Sequence, residues 1–173
     1  YSMPVLINAY GSPQRMAWAL GVDDLDALNT GLAKVIDLRL PRGFQESVNR
    51  GRDLFQVFKS IGLRPKKVRQ AAVQQVIQTD QASLGMLPIL KCWPKDGGPF
   101  ITLPQVITRD PQTGIRNVGM YRLQVIDDRT LLVHWQRHKG GAEHERLARQ
   151  IHKEHIPAAI VLGGDPASMW CAS

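Results

Sequence analysis

The spacing of apolar residues along the chain changes near residue 100. Before that point, leucine, alanine and valine recur at three- and four-residue intervals, which is typical of amphipathic helices. The first helical segment has Ser12 as its N-cap and Gly21 at its end. The third contains Gly51, a residue that weakens a helix. This spacing predicts helices over residues 12–21, 23–40 and 46–62.

Three other segments in this first part have less regular patterns. Residues 4–10 are predicted to form a strand, whereas residues 71–80 fit either a strand or a helix. Residues 84–101 contain three prolines and are predicted to form an extended, ordered loop. Four large side chains at helical spacing are predicted to belong to the core: Trp18, Leu54, Phe55 and Phe58.

From residue 100 onward the pattern predicts β-structure. The turn sequences "PQTG" (111–114) and "DDRT" (127–130) separate apolar segments, and "IPAAIVLG" (156–163) predicts a buried strand. A polar helix is predicted over 142–155, and Asp165 with Pro166 marks the start of a last helix. The remaining strands are predicted over 100–110, 115–126 and 131–138.

These elements predict an α+β protein with helices first and an antiparallel sheet or partial barrel second. We divide the chain into an N-terminal α/β segment, residues 1–99, and a β-rich region, residues 100–173.

Polar side chains collect on the predicted hairpin of 115–126 and 131–138. If the strands pair about residues 127 and 128, Asn117 faces His138 and Tyr121 faces His134. Because side chains alternate along a strand, one face then presents Asn117, Tyr121, His134, Gln136 and His138. Regular pleating puts Arg122 on the other face, unless a bulge at Gly119 brings it round.

This face has two interpretations. Asn and His are suitable ligands for a divalent cation if a carboxylate joins them from elsewhere. "HKGG" (138–141) could hold a phosphate with Lys139 and backbone amides, although it lacks the Walker spacing. The alternative is a solvated sheet face that binds nothing. Histidines 144, 152 and 155 on the polar helix are predicted to be solvated, and Trp135 is predicted to pack in the core.

Composition narrows the class of partner. The net charge is +7 and the pI about 9.8, which suits nucleic acid, a membrane surface or anionic small molecules. Nucleic acid is disfavoured because no aromatic residues interleave the basic run "RPKKVR" (64–69). The apolar run 156–164 is too short to span a bilayer, which leaves at most peripheral membrane contact. Two cysteines form no disulfide framework, so we expect a reducing, cytoplasmic compartment.

Several motifs resemble one enzyme family. "TRDP" followed by "RNVGMYR" (116–122), "HWQRHKGG" (134–141) and "VLGGDPAS" (161–168) resemble, in the same order, the UbiD family of decarboxylases that use prenylated FMN. The resemblance implies that the β-rich region is a split β-barrel, a flavin reductase-like FMN-binding barrel. We also expect the chain to be part of a longer polypeptide, since its first strand has no lead-in and its last helix has barely begun.

The resemblance implies roles for individual residues. Asn117 and His138 match metal ligands for Mn²⁺, with a monovalent cation such as K⁺ a further expectation. Arg122 matches a catalytic arginine that works together with carboxylates. These carboxylates, and the glutamate that would be a further metal ligand, are expected beyond residue 173. Residues that match the segments lining the flavin are Met120, Tyr121, Arg122, His134, Trp135, Gln136, Lys139 and Gly140.

The implied activity is non-oxidative loss of CO₂ from an aromatic or unsaturated acid. 3-Polyprenyl-4-hydroxybenzoate of ubiquinone biosynthesis is the first candidate substrate, and a carboxynaphthoate of menaquinone synthesis is the second. A flavin prenyltransferase would supply the cofactor, and the full-length enzyme would be a homo-oligomer. The alternative is a non-catalytic flavin-binding module or partner subunit.

Overall fold

The computed structural model describes residues 3–36, 45, 48–49, 51–52, 55 and 67–173. These residues fall into two compact units. One contains residues 3–9 and 80–173, and the other contains the described residues between 10 and 79. Each unit is described by itself below.

Two helices form the regular part of the unit between residues 10 and 79. Helix α1 spans Pro13–Leu20 and helix α2 spans Leu25–Ile36. The Ser12 side chain accepts a hydrogen bond from the Arg15 amide, and Gly21 ends α1 in the left-handed conformation with φ of 69°. The predicted helix at 12–21 is therefore confirmed, with both of its end signals.

Other predictions in this unit have mixed outcomes. Residues 25–36 confirm the second predicted helix, whereas 37–40, most of 46–62, Leu54 and Phe58 lie outside the described residues. The ambiguous segment 71–80 contains a single 3-10 turn, Ala72–Gln74. Trp18 and Phe55 were predicted to be core residues, and this is wrong: they are 70% and 68% exposed.

The unit formed by residues 3–9 and 80–173 contains two antiparallel sheets of three strands. One sheet has the order β1-β4-β5 and the other has the order β3-β2-β6. Helix α3, Gly140–Gln150, lies between β5 and β6, and helix α4, Pro166–Cys171, follows β6 and is capped by Asp165 as predicted. The strands are β1 Phe100–Ile101, β2 Gln105–Arg109, β3 Arg116–Met120, β4 Leu123–Val125, β5 Leu131–Val133 and β6 Ala158–Val161.

The predicted turn at 111–114 is confirmed and links β2 to β3. The Asp110 carboxylate accepts hydrogen bonds from the amides of Gln112 and Thr113, at 2.8 and 3.0 Å. Gly114 has a φ of 74°, a conformation that a side chain would strain. The amide of Asp110 donates to the Ile115 carbonyl and closes the loop. These local bonds fix the register in which Thr108 faces Asn117.

The predicted strand over 115–126 is two strands in different sheets. β3 pairs with β2 without interruption from Arg116 to Met120, so the predicted bulge at Gly119 is wrong. A side chain at Gly119 would lie 2.5 Å from the Tyr121 ring, so glycine here makes room for that ring. The chain then passes through Tyr121 and Arg122 into β4 and the other sheet.

The hairpin has a different register from the predicted one. Leu123 faces Val133 and Val125 faces Leu131, one residue away from the expected pairing. The Ile126 amide donates to the Thr130 carbonyl at 3.0 Å, so the connection centres on Asp128. A shift of one residue exchanges the faces of a strand, with consequences for the site. The returning strand is also shorter than predicted and ends at Val133.

A small apolar core joins the two sheets. Its buried members are Ile101, Val106, Tyr121 and Leu123, packed against Ile89, Leu131, Val133 and Trp135. The prediction that Trp135 packs in the core is confirmed. Strand β6 exists as predicted but is mostly exposed and not buried. Residues 4–8 lie outside both sheets, so the strand predicted at 4–10 is wrong for these described residues.

Helix α3 packs on β2 and β3 through a buried stripe formed by Gly141, His144 and Ala148. His144 was predicted to be solvated, and this is wrong because it is only 7% exposed. The helix begins at Gly140, two residues earlier than predicted, and ends at Gln150, so His152 and His155 follow it and are exposed. Within the described ranges, no helix has the length and apolar character needed to cross a membrane.

Candidate functional site

The Tyr121 hydroxyl joins strand β3 to the first turn of α3. The buried amide of Gly141 donates to this hydroxyl at 2.9 Å, and Asn117 Nδ2 donates to it at 3.4 Å. Tyr121 itself is only 3% exposed. Because the nitrogen of the Asn117 carboxamide is engaged, its oxygen is the atom available as a ligand. We call Asn117, Tyr121, Lys139, Gly140 and Gly141 the Tyr121 cluster.

Two glycines allow the close approach within the Tyr121 cluster. A Cβ atom at Gly140 would overlap the Asn117 carboxamide, with the oxygen Oδ1 as its nearest neighbour. A Cβ atom at Gly141 would overlap the Trp135 ring. Trp135 in turn meets the Tyr121 ring edge to face, with centroids 4.7 Å apart. The "GG" pair is therefore required by packing against the site residues.

Lys139 places a cation at the start of α3. It occupies the N-cap position, and its ammonium lies 6.0 Å from the centre of the Tyr121 ring. The first turn of an 11-residue helix presents backbone amides and the positive end of its dipole. A cation beside these amides suits a phosphate or another anion. This arrangement agrees with the phosphate interpretation of "HKGG".

Arg122 lies in a separate, open cleft of about 480 Å³. Its guanidinium carbon is 5.9 Å from the centre of the Phe100 ring, a cation–π distance. The backbone amide of His134 donates to the Arg122 carbonyl at 3.1 Å, which aligns the two residues across the hairpin. The cleft is lined by Phe100, Arg122, Gln124, Leu132, Val133, His134 and Trp135.

The hairpin register divides the predicted site residues between these two places. Tyr121 meets Trp135, and Arg122 meets His134, whereas the predicted pairing placed Tyr121 opposite His134. The single predicted face of Asn117, Tyr121, His134, Gln136 and His138 is therefore wrong. Trp135 borders both the Tyr121 cluster and the cleft, so the two places adjoin.

Three predicted site residues stand apart from these contacts. Met120 is half-buried, and its amide donates to the Ala172 carbonyl at 2.7 Å. Gln136 and His138 are exposed, and the Gln136 carbonyl accepts from the Lys139 amide in the turn before α3. Among the described residues, no three His, Cys, Asp or Glu side chains are grouped so that they could hold a metal ion.

The sequence interpretation missed Thr108 and His144, which share a buried hydrogen bond behind Asn117. A signal was available for His144: Gly141, His144 and Ala148 follow the spacing of one helix face.

On the opposite side of α3, Arg146 donates two hydrogen bonds to Glu143 and lowers the pKa of that carboxyl. Glu143 and Arg146 are half-exposed and lie outside the Tyr121 cluster.

The fold and these motifs define a class of protein. Residues 66–173 match the family model described as "3-octaprenyl-4-hydroxybenzoate carboxy-lyase Rift-related domain". Because this match covers more than half of the chain, the chain belongs to the UbiD family.

Curated relatives cover the whole chain. An uncharacterized protein of Aquifex aeolicus is 43% identical over all 173 residues, and one of Archaeoglobus fulgidus is 42% identical over the same length. The chain spans 35% and 34% of these two proteins. It therefore corresponds to about a third of the length of the curated relatives that it matches.

Solved structures agree with the family. The UbiD-class enzyme HmfF of Pelotomaculum thermopropionicum, in complex with FMN, superposes with a TM-score of 0.64 at 25% identity. The match covers 91% of this chain and 30% of that enzyme. The vanillic acid decarboxylase of Sedimentibacter hydroxybenzoicus, in its closed form, superposes at 0.69 and 24% identity, over 96% and 32% of the two chains. The latter likeness is one of fold.

Proposed function

We propose that this chain forms the prenylated-FMN-binding part of a UbiD-type decarboxylase. The observation that carries the proposal is the Tyr121 cluster: the Gly141 amide and the Asn117 carboxamide both donate to the Tyr121 hydroxyl, and the Lys139 ammonium lies 6.0 Å from the centre of its ring. Related proteins of known structure support it, since HmfF was solved with FMN and an evolved form of it with prenylated FMN. The two three-stranded sheets would be the halves of a flavin reductase-like split barrel.

The residues of the Tyr121 cluster fit the phosphate end of a flavin. Lys139 would pair with the phosphate, and the amides of Gly140 and Ala142 would donate to it, since the Gly141 amide donates to Tyr121. Gly140 and Gly141 allow Asn117 and Trp135 to pack directly against the start of α3. Trp135 and Tyr121 offer apolar surface beside the polar end. Met120 and Gln136, which flank these elements, belong to the proposed lining by resemblance.

A divalent cation such as Mn²⁺ would bind near the same phosphate. The Asn117 carboxamide oxygen is a suitable ligand because its nitrogen already donates to Tyr121. His138 would supply a second ligand, and a carboxylate outside this chain would supply a third. With these ligands, Asn117 and His138 would hold a positive charge that neutralises the phosphate beside the Tyr121 cluster. A monovalent cation such as K⁺ would be an additional ion in the complete enzyme.

The cleft beside the Tyr121 cluster would receive the substrate acid. Arg122 is exposed there, and its guanidinium can hold a carboxylate through two parallel hydrogen bonds. Phe100 and Leu132 give the cleft apolar walls that suit an aromatic ring. When bound, the prenylated flavin supplies the electron sink that loss of CO₂ requires. Arg122 would orient the leaving carboxylate, and His134 would lie beside it.

The alternative function is a flavin-binding module or partner subunit without activity of its own. One observation favours it: among the described residues that line the cleft, none is an aspartate or glutamate. Returning a proton to the decarboxylated carbon requires an acid at that point. In a catalytic assembly, carboxylates from another segment or another chain would have to approach Arg122.

The substrate of the complete enzyme would be an aromatic or unsaturated acid. 3-Polyprenyl-4-hydroxybenzoate remains the first candidate, since the family model carries the name of that activity. A vanillic acid decarboxylase and 3,4-dihydroxybenzoic acid decarboxylases among the structural neighbours favour phenolic acids in general.

Binding of the phosphate can be tested with FMN as the probe. We expect titration of the chain to quench FMN fluorescence, and Lys139→Ala to weaken binding by about tenfold or more, because a charged hydrogen bond contributes about 1.5–3 kcal/mol. The matched control is Lys153→Ala, an exposed lysine beyond α3. Equal affinities for the two variants would contradict the role of Lys139.

Measuring the release of CO₂ distinguishes the two proposed functions, a decarboxylase and a flavin-binding module without activity of its own. The chain would be produced together with a flavin prenyltransferase and incubated with 4-hydroxybenzoate-type acids. Turnover that disappears in Arg122→Ala would support a decarboxylase, whereas cofactor binding without turnover would support the module.

A further inference from the structure

Thr108 and His144 form a buried polar pair behind the Tyr121 cluster. Thr108 Oγ1 and His144 Nδ1 lie 2.9 Å apart, and the two residues are 1% and 7% exposed. A hydrogen bond withdrawn from water costs stability when one partner is removed, since the other is left unsatisfied. The pair is therefore a defined link between β2 and α3.

The link connects the two elements that build the proposed cofactor site. On the strand side, Thr108 is the register partner of Asn117, so both side chains project to the same side of the sheet. On the helix side, His144 follows Gly140 by four residues and Gly141 by three, which places it one turn along the same face. The pair thus links β2, the strand beside Asn117, to α3, whose first turn carries Gly140 and Gly141.

Contacts in this gap leave little room for movement. Gly140 lies against the Asn117 carboxamide, and the Gly141 amide reaches Tyr121 at 2.9 Å. A small rotation of α3 would lengthen the second contact and change the space beside the first. Because His144 is the next residue on that helix face, its bond to Thr108 opposes such a rotation.

We propose that Thr108 and His144 are positioning residues that hold the first turn of α3 against Asn117. They set the distance between the carboxamide ligand and the phosphate-binding amides, and they act through the Tyr121 cluster without touching the cofactor. This inference rests on the proposed function, because the first turn of α3 needs to be positioned against Asn117 only if the two bind the cofactor together.

Hydrogen exchange at the Gly141 amide measures this positioning without any ligand. Thr108→Val removes the hydroxyl and keeps the side-chain shape, and Thr108→Ser keeps the hydroxyl. We expect Thr108→Val to accelerate exchange at Gly141 about fivefold, since one hydrogen bond contributes about 1 kcal/mol. Thr108→Ser should restore a rate near that of the wild-type chain. Thr102→Val, at an exposed residue between β1 and β2, is the matched control and should leave the Gly141 rate unchanged.

The internal reference is the exchange of amides in β4 and β5. If Thr108→Val accelerates these as much as Gly141, the pair only stabilises the fold and the positioning role is wrong. A faster rate confined to the first turn of α3 supports it. His144→Phe should reproduce the local effect, and the exposed His155→Phe should not.

FMN titration of the same samples connects the pair to ligand binding. We expect weaker FMN binding in Thr108→Val and recovery in Thr108→Ser. A wild-type chain that binds no FMN would contradict the proposed function, whereas exchange at Gly141 would still decide the positioning role. Local exchange that changes while FMN affinity stays constant would overturn the link between the pair and the cofactor site.

Discussion

Tyr121 contributes to the structure through both its ring and its hydroxyl. Its ring fills the small core with Ile101, Val106 and Leu123, while its hydroxyl accepts from an amide and a carboxamide. We expect Tyr121→Phe to lower the free energy of unfolding by about 1–2 kcal/mol, because the buried Gly141 amide loses its acceptor. Urea denaturation measures this loss. An unchanged stability would mean that the hydroxyl contact is not formed in solution.

Gly140 provides a second test at the level of single residues. A Cβ atom there would overlap the Asn117 carboxamide, so we expect Gly140→Ala to destabilise the chain by about 1–3 kcal/mol, as overpacking does. The control is Gly31→Ala in α2, where nothing lies within 4 Å of the new atom. Alanine is the better helix former there by about 1 kcal/mol, so this change should stabilise the chain or leave it unaffected. Equal effects at both positions would contradict the close approach at Gly140.

At the scale of elements, the sequence predicted most of what local chemistry determines. Ser12 and Gly21 bound the first helix, and Asp165 begins the last, as their side chains and backbone preferences require. The positions of both turns were also predictable. Long-range packing was less predictable. The burial of His144 depends on where α3 lies on the sheet, and the sequence indicated it only through the spacing of His144 from Gly141 and Ala148.

The hairpin register shows why the site was only partly predictable. "DDRT" locates a turn but does not state the length of its connection. In the structure the Asp127 carboxylate accepts from the Arg129 amide at 2.9 Å, which favours a loop centred on Asp128. That difference of one residue moved His134 from Tyr121 to Arg122 and brought Trp135 to Tyr121. The structure therefore groups the predicted site residues differently from the prediction.

The turn between β2 and β3 should make the free energy of unfolding depend on pH in the acid range. Hydrogen bonds from the amides of Thr113 and Gln112 hold the pKa of Asp110 below its ordinary value of 3.8. A lowered folded-state pKa stabilises the fold above 3.8, and this contribution is lost as the pH falls through the lower folded value. Asp110→Asn should therefore flatten the acid limb of a plot of stability against pH. The exposed Asp128→Asn is a control for removal of one charge; a steep limb retained in Asp110→Asn would contradict this assignment.

At the scale of the whole molecule, the net charge of +7 suits a polyanionic ligand. FMN and riboflavin share a ring system and differ by the phosphate. We expect FMN affinity to fall as salt concentration rises, because mobile ions screen the attraction, and riboflavin affinity to stay nearly constant. Fluorescence titration over a salt series measures both. The same salt dependence for both ligands would mean that the phosphate does not bind near Lys139.

The chain spans about a third of the length of its curated relatives. Within this length, α3 brings Lys139 to Tyr121 and Gly140 to Asn117, and Arg122 lines an open cleft. Whether Arg122 takes part in turnover depends on carboxylates approaching the cleft. The cofactor-binding claim can be tested without them.

The most direct test is the native mass of the chain produced with a flavin prenyltransferase in the presence of Mn²⁺. We predict an added mass equal to prenylated FMN in the wild-type chain and in Lys153→Ala, and its loss in Lys139→Ala. Circular dichroism would establish that each variant is folded. A folded wild-type chain that carries no added mass would contradict the claim that the Tyr121 cluster is a preformed cofactor site.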